Sequence, residues 1–197
     1  REAKAMEKTV SVVYHSGYGH TQKQAEAIAA GAGEDSSTTV NLISVDDLKD
    51  PESASWTMLD ESDALVFGSP TYMGSVSAEL KAFMELSSGR WQEMKWVGKL
   101  AAGFTNSGSQ NGDKQNSLIQ ILTFAAQHGM LWINLGQMPG NNSSAGSVED
   151  MNRLGASLGA MAQSDVDVGP DDGPIKSDLE TAKEFGRHIA QCAKRWN

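Results

Sequence analysis

The six residues from Ser16 to Thr21, SGYGHT, combine two glycines with the aliphatic hydroxyls of Ser16 and Thr21, where an apolar run gives way to a helical pattern. The preceding run, Thr9–His15, is β-branched and predicts a buried strand. The following run, Gln22–Glu34, carries alanine and isoleucine at helical spacing. A turn that leads from a strand into a helix N-terminus offers unpaired backbone N–H groups at the positive end of the helix dipole, so it is suited to bind an anion.

The residues of this turn restrict which anion it could bind. A triphosphate-binding loop requires a lysine, and the turn contains neither Lys nor Arg. Gly17 and Gly19 begin a dinucleotide-binding fingerprint, but Gln22 occupies the position of its third glycine, and the acidic Asp46 and Asp47 come too late in the chain. A single phosphate remains, which suits a mononucleotide such as FMN. The alternative is an ordinary strand-to-helix turn with no ligand.

Two further loops, rich in Gly, Ser and Asn, follow predicted strands. Ser69–Ser77 follows a strand at Asp63–Gly68, and Thr105–Gly112 follows a strand at Lys99–Phe104. The carboxyl ends of parallel strands lie at one edge of a sheet, where doubly wound sheets bind their ligands. Each loop alone could be a plain turn, but three of them at one edge indicate a shared site.

The rest of the pattern predicts the elements that would position these loops. Further strands are expected at Thr38–Val45 and Met130–Leu135. Helices with apolar stripes are expected through Leu80–Met84, over Asp113–His128 and onward from about Ser177. Strands that are apolar on both faces and alternate with helices predict an α/β fold. We expect a doubly wound, five-stranded parallel sheet with helices on both faces.

Two stretches and one capping residue complete this picture. Asp113 is a candidate N-cap residue for its helix. The segment Gly136–Gly173 is rich in Gly, Ser and Asn, and we expect it to be functional or mobile. Within it, Gly155–Gly159 matches the GxSxG nucleophile elbow of hydrolases. That motif requires a preceding strand, and the polar Glu149–Arg153 does not predict one, which argues against a hydrolase.

Composition excludes several classes of function. The 197 residues fit one domain, and the net charge of −9 argues against nucleic acid and anionic membranes as partners. We predict a flexible N-terminal segment at residues 1–8 and a single domain over residues 9–197. There is no signal peptide pattern, no apolar run long enough to span a bilayer and a single cysteine, Cys192, so we expect a cytoplasmic protein. No residues have metal-ligand spacing, and we predict no metal site.

Four side chains could contribute to a site built from these loops. Tyr72 and Met73 are flat or polarizable, and could cover one face of a heterocyclic ring. Trp91 either forms the wall of a pocket or is a partly buried structural residue. His128 either interacts with the dipole at its helix C-terminus or, if that end faces a pocket, hydrogen-bonds or protonates a substrate oxygen.

At these loops the chain resembles the flavodoxin-like NAD(P)H:quinone oxidoreductases, also described as tryptophan-repressor-binding-protein-like flavoproteins. The resemblance extends from Val10 to Trp196. It rests on five pieces in order, which are Ser16-x-Tyr18-Gly19-His20-Thr21, Gly68-Ser69-Pro70-Thr71-Tyr72-Met73-Gly74, Trp91, Asn106-Ser107-Gly108-Ser109 and His128-Gly129-Met130. It implies a flavodoxin-like sheet with strand order 2-1-3-4-5.

The resemblance also implies a cofactor and a set of site residues. The cofactor is noncovalently bound FMN. The implied FMN-binding residues are Ser16, Gly17, Tyr18, Gly19, His20, Thr21, Pro70, Thr71, Tyr72, Met73, Gly74, Thr105, Asn106, Ser107, Gly108, Ser109, Gln110 and Asn111. Tyr18 would contact the nicotinamide nucleotide, NADH or NADPH. Trp91 and His128 would line the open face of the flavin, with His128 as the candidate catalytic residue. The family generally forms homo-oligomers, usually tetramers, with sites at subunit junctions.

The implied activity is the two-electron reduction of quinones by NADH or NADPH, in a ping-pong cycle that passes a hydride through flavin N5. Two other classes stay open, a flavodoxin-type carrier of single electrons and a nonenzymatic FMN-binding regulatory protein. The acidic charge suits the carrier, whereas Trp91, His128 and the long Gly136–Gly173 segment favour a site for small molecules. Tyr72 stands where the best-known members have Arg, and Gln110 and Asn111 replace two glycines; these departures concern nucleotide and substrate preference more than FMN.

Overall fold

The computed structural model describes residues 6–196. Their strands are β1 (Lys8–Tyr14), β2 (Thr38–Ser44), β3 (Ala64–Tyr72), β4 (Ser75–Val76), β5 (Leu100–Ser107), β6 (Leu131–Trp132) and β7 (Ala160–Gln163). Their helices are α1 (His20–Ala32), α2 (Ala54–Asp60), α3 (Ala78–Leu86), α4 (Ser88–Gln92), α5 (Lys114–Gln127) and α6 (Lys176–Arg195), with a 3₁₀ turn at Val45–Leu48.

The main sheet has the order β2-β1-β3-β5-β6, and all of these pairings are parallel. In the strand numbering of the sequence prediction this is the order 2-1-3-4-5, so the predicted flavodoxin-like, doubly wound sheet is confirmed. The central strands are buried on both faces, with Val12 opposite Val66 and Val66 opposite Ala102. One core lies between the sheet and helices α1 and α6, and a second lies on the other face under α3 and α5.

The last position of the sheet is filled by two short strands instead of one. Leu100, near the start of β5, pairs with Leu131 of β6, whereas Phe104, further along, pairs with Ala160 of β7. The predicted strand Met130–Leu135 is therefore too long. The chain leaves the sheet because the backbone N–H of Leu135 bonds to Ser157 of the returning segment instead of β5. The predicted irregular segment Gly136–Gly173 thus contains a sheet strand.

Both central strands are longer than the sequence predicted. Ser69–Tyr72 and Thr105–Ser107 were expected in loops, but they belong to β3 and β5, where Ser69 pairs with Thr105 and Pro70 with Asn106. Their hydroxyl side chains satisfy one another in the interior, so a polar composition is compatible with a buried strand. Beyond them a tight turn connects β3 to β4, and its two central residues both have positive φ, as in the turns that favour hairpins.

Two smaller predictions need correction, and a third is confirmed. Lys8, placed in the flexible N-terminal segment, is the first residue of β1 and is buried; residues 1–5 lie outside the described part of the chain. Asp113 occupies the N-cap position of α5, but in a left-handed conformation and without a side-chain capping bond. Gly155–Gly159 lies before β7 and follows no strand, so it is not a nucleophile elbow. No helix in residues 6–196 has the length and apolarity needed to cross a membrane.

Helices α1 and α6 pack closely at two glycines, Gly31 of α1 and Gly186 of α6. A substitution at one of them tests how tightly the two helices are packed. A methyl group at Gly186 would lie 2.0 Å from the backbone oxygen of Ile28, and neither backbone can move aside easily. We expect Gly186→Ala to lower the free energy of unfolding by about 1–3 kcal/mol, the usual cost of overpacking a filled interior. The measurement is the midpoint of urea denaturation. The control is Gly89→Ala in α4, where nothing lies within 4 Å of the added methyl group, and a midpoint for Gly186→Ala at or above that control would contradict the prediction.

Candidate functional site

A cleft of about 620 Å³ lies at the carboxyl edge of the sheet. All three loops singled out in the sequence contribute to it, together with the segment after β7. The lining residues are Ser16, Gly17, Tyr18, His20, Thr21, Pro70, Thr71, Tyr72, Asn106, Ser107, Gly108, Ser164, Val166, Val168 and Gly169. An adjoining space of about 520 Å³ shares part of this wall and adds Met73, Gly74, Ser109, Gly112 and Asp113. The predicted convergence of the loops is therefore present in the structure.

The first wall of the cleft is the turn between β1 and α1. Gly19 has a φ of 97°, which is unfavourable for other residues, and it forms the N-cap of the helix. The Ser16 hydroxyl oxygen accepts hydrogen bonds from the backbone N–H groups of Gly19 and Gln22, both at 3.1 Å. The Ser16 side chain therefore stabilises the conformation of the turn.

The same turn leaves several N–H donors without a partner. The backbone N–H groups of Gly17, Tyr18, His20 and Thr21 donate to no group within residues 6–196. They surround the N-terminus of α1, where the helix dipole adds positive potential. An anionic phosphate that accepts several hydrogen bonds fits this donor set, and the residues present therefore suit the phosphate of a mononucleotide.

Buried hydroxyl groups connect the second and third loops. The Thr71 hydroxyl lies 2.7 Å from that of Thr105 and donates to Ser117 of α5 at 2.8 Å. Thr105 thus lies beneath the cleft instead of lining it. On the other side, the Ser77 hydroxyl lies 2.8 Å from Nδ1 of His15. The first of these bonds joins the ends of β3 and β5, and the last joins the end of β1 to the start of α3, so together they keep the cleft in one shape.

Two tyrosines stand at the mouth of the cleft. Their ring centroids are 6.5 Å apart in an edge-on arrangement. The Tyr72 hydroxyl lies so close to the backbone of Gly17 that an added Cβ there would be 2.1 Å from it. Burial, and to a lesser extent the nearby Tyr18 and Glu79, raises the pKa of Tyr72. Tyr18 is 79% exposed, so its ring is free to contact a visiting molecule.

The segment after β7 supplies part of the cleft that the sequence did not predict. The ring of His20 bonds through Nε2 to the carbonyl oxygen of Val168 at 2.9 Å, and the Ser164 hydroxyl donates to Asn106 Oδ1 at 2.9 Å. Ser164 and Val168 lie in the segment Gly136–Gly173, which the sequence predicted to be functional or mobile, but no motif or periodicity indicated either residue. The short run Ala160–Gln163 is too brief to predict a strand.

A buried ion pair anchors this segment. Arg153 donates to both carboxylate oxygens of Asp178 at 2.8 Å, and both side chains are almost fully buried. The backbone N–H of Gln163 donates to the same carboxylate at 2.9 Å, and its side chain donates to the carbonyl oxygen of Gly108 at 2.9 Å. The ion pair therefore connects α6 and the segment before β7 to the third loop of the cleft.

Four further predicted residues lie outside the lining of this cleft. Gln110 and Asn111 line a separate pocket of about 890 Å³ beside the segment between β6 and β7. His128 follows the last residue of α5, whose 14 residues place it roughly 21 Å from the helix N-terminus at the cleft. Together with Trp91 it lines a groove of about 430 Å³ between α3–α4 and α5, which shares no residue with the cleft.

The surroundings of His128 favour its neutral form. The side chain is 4% exposed, and its Nε2 lies 2.9 Å from the Ser87 hydroxyl, which itself donates to the Met84 carbonyl. Because its own proton is donated to Met84, the Ser87 hydroxyl must accept a hydrogen bond from the Nε2–H of His128. Burial lowers the pKa of His128 to about 4. A neutral imidazole held in this way is a poor proton donor at pH 7, and the catalytic role of His128 stays a prediction.

The fold and the cleft together define an α/β protein with a cleft suited to a mononucleotide at the carboxyl edge of its sheet. The model of the NADPH-dependent FMN reductase family matches residues 15–144. The chain belongs to this family, and the resemblance seen in the sequence is confirmed. Within residues 6–196 no group of three His, Cys, Asp or Glu side chains could hold a metal ion.

Several individual proteins are similar over almost their whole length. Flavodoxin FldP of Pseudomonas aeruginosa is 44% identical over 96% of this chain and 98% of its own length. NAD(P)H dehydrogenase (quinone) 3 of Rhizobium meliloti is 30% identical over 92% of this chain and 90% of its own. Among solved structures, the flavodoxin, WrbA-like protein from Agrobacterium tumefaciens has a TM-score of 0.73 and 36% identity, covering 97% of this chain and all of that one.

The pKa of His128 predicts how stability depends on pH. An imidazole whose folded-state pKa is near 4, below the unfolded value of 6.5, binds protons less readily in the folded state. Its contribution is therefore fully present above pH 6.5 and is lost as the pH falls toward 4, by roughly 2–3 kcal/mol. We expect His128→Gln to lose less stability than the parent protein between pH 7 and pH 4.5, as measured by urea denaturation. Parallel pH profiles for the two proteins would contradict this.

Proposed function

We propose that this protein binds FMN in the cleft and acts as an NAD(P)H:quinone oxidoreductase. The observation that carries the proposal is the set of unpartnered N–H groups at Gly17, Tyr18, His20 and Thr21, facing the ends of β3 and β5 across the cleft. A phosphate fits the N–H groups, and a planar ring fits the space toward Tyr72. Membership of the NADPH-dependent FMN reductase family supports the same cofactor.

We assign roles to the cleft residues from their positions. The turn Ser16–Thr21 would hold the phosphate. The hairpin tip Tyr72–Gly74 and the third loop Asn106–Ser109 would hold the ring and the ribityl chain. The segment Ser164–Gly169, here called the cover, would shield the phosphate from water, because its Val168 bonds to His20 in the turn. Gln110 and Asn111 would contribute through their backbone in the third loop.

When bound, FMN supplies the redox chemistry, since it can accept a hydride from a nicotinamide nucleotide and pass two electrons to a quinone. The chain supplies binding and orientation. Tyr18 is positioned to contact the nucleotide, because its exposed ring stands at the mouth of the cleft. The two substrates would use the same open side in turn, which requires a ping-pong cycle.

The position of Trp91 and His128 bears on assembly. Since α5 separates their groove from the cleft of the same chain, they can line the open face of the flavin only if a neighbouring copy presents its groove there. Trp91 is 52% exposed and is available for such a contact. We therefore propose a homo-oligomer with sites at subunit junctions. The acidic chain with one cysteine fits a cytoplasmic location.

A second function, that of a carrier of single electrons between proteins, is favoured by a specific observation. The relative with 44% identity is named a flavodoxin. In addition, Trp91 and His128, which argued from sequence for a small-molecule site, do not reach the cleft of a single chain. The same cleft would serve either function, because both need FMN held at the same edge of the sheet.

The experiment that tests the proposal starts from purified protein loaded with FMN. Anaerobic addition of NADH or NADPH should bleach the flavin absorbance, and subsequent benzoquinone should restore it. A protein that stays colourless with FMN would overturn the whole proposal. Retention of FMN without bleaching by either nucleotide would remove the reductase function, and a stepwise titration that consumes one electron at a time would favour the carrier.

Tyr18 provides a test of the nucleotide site. We expect Tyr18→Ala to lower kcat/KM for the nucleotide by about ten-fold, within the usual worth of an aromatic contact, while FMN affinity changes less than two-fold. Tyr18→Phe, which keeps the ring, is the matched control and should behave like the parent protein. The readouts are stopped-flow flavin reduction and fluorescence titration with FMN. Equal loss of both properties in Tyr18→Ala would show that Tyr18 serves the cofactor instead.

A further inference from the structure

Lys114, the first residue of α5, is buried against the third loop of the cleft. Neither the sequence analysis nor the proposed reaction assigns it a role. Its side chain is 1% exposed. Lysine is almost never fully buried unless its ammonium is paired. The residue was not among the predicted site residues, because the groups it contacts are mostly backbone carbonyls.

The ammonium of Lys114 donates hydrogen bonds to four oxygen atoms of a single loop. Nζ lies 2.8 Å from the Ser107 hydroxyl, 3.0 Å from the carbonyl oxygen of Ser109, 2.8 Å from that of Gln110 and 3.0 Å from that of Asn111. Three successive carbonyls therefore point at one positive charge. These residues belong to the third loop of the cleft, and Ser107 and Ser109 line its wall.

The direction of these carbonyls fixes the direction of the adjoining N–H groups. In a trans peptide the C=O of one residue is antiparallel to the N–H of the next. The N–H groups of Gln110, Asn111 and Gly112 therefore point away from Lys114. None of the three donates to a group within residues 6–196. The ammonium thus turns one side of the loop into a row of free donors, which is the arrangement that binds ligand oxygens.

We propose that Lys114 is a positioning residue for the cofactor, which holds the loop Ser107–Gly112 in the shape that accepts the oxygen atoms of the flavin ring. The inference rests on the proposed FMN site. Without the ammonium, the three carbonyls would repel one another, and the peptide planes would rotate away. Binding of the flavin ring would then weaken. The turn Ser16–Thr21, which follows β1 and not β5, would keep its shape.

The charge state of Lys114 makes this arrangement sensitive to pH. Burial lowers its pKa to about 8. The charged groups that face it are Asp178 on α6, which opposes this shift, and Arg153 in the segment before β7, which adds to it. Those two pair with each other, and the 107–112 loop itself carries no charge. The ammonium is therefore mostly present at pH 7 and mostly lost at pH 9.

The experiment compares FMN with riboflavin, which lacks the phosphate, in fluorescence titrations of the apoprotein. We expect Lys114→Met to weaken both flavins by the same factor, ten-fold or more. In the parent protein the affinity for riboflavin should fall about ten-fold between pH 7 and pH 9, in proportion to the charged fraction, and in Lys114→Met it should not change with pH. The matched control is Lys99→Met. Lys99 is half-buried and its ammonium also donates to a backbone carbonyl, that of Ser62, but it lies next to the opposite end of β5.

The outcomes separate this inference from the function it rests on. Lack of binding of either flavin to the parent protein would overturn the FMN site itself. Normal affinity of folded Lys114→Met for riboflavin, or an equal loss in Lys99→Met, would overturn the role of Lys114 alone. If Lys114→Met does not fold, the pH profile of the parent protein decides, since an affinity for riboflavin that is constant from pH 7 to pH 9 contradicts the proposal.

Discussion

The parallel alignment of β1, β3, β5 and β7 is the constraint on which the rest of the structure depends. It brings four strand ends to one edge, where each chain segment must turn toward a helix. Backbone N–H groups in such turns have no sheet or helix partner. The cleft gathers these donors, and a ligand rich in oxygen atoms would satisfy those that the protein itself leaves unpaired.

The walls of the cleft are held by polar groups rather than by apolar packing. Thr71, Thr105 and Ser117 form one buried chain of hydroxyls, and Arg153 with Asp178 forms a buried ion pair. Hydrogen bonds have defined directions, whereas apolar contacts tolerate sliding. A site built in this way keeps its hydrogen-bond donors at fixed positions.

Much of the fold could be predicted from the sequence, because the central strands are apolar on both faces and their helices carry clear stripes. The turn Ser16–Thr21 could also be predicted, since its glycines and hydroxyls are contiguous. Thr105–Ser107 could not be recognised as strand, because its residues are polar and the partner that satisfies the Thr105 hydroxyl, Thr71, is distant in sequence. Lys114 escaped notice for a different reason, because its partners are near in sequence but nothing in a sequence shows where backbone carbonyls point. His128 was assigned to the cleft by resemblance, but the length of α5 keeps it away within one chain.

The bond between His20 and Val168 joins residues that are 148 positions apart in sequence. The turn Ser16–Thr21 leads into α1, whereas its cover, Ser164–Gly169, follows β7, the second of the two short strands at the end of the sheet. During synthesis the turn would leave the ribosome long before its cover exists. Contacts of such separation form late in folding, since closing a long loop costs entropy before the contact is gained. A nascent chain therefore has no complete pocket, and the cofactor must be acquired by a domain that is already almost fully made.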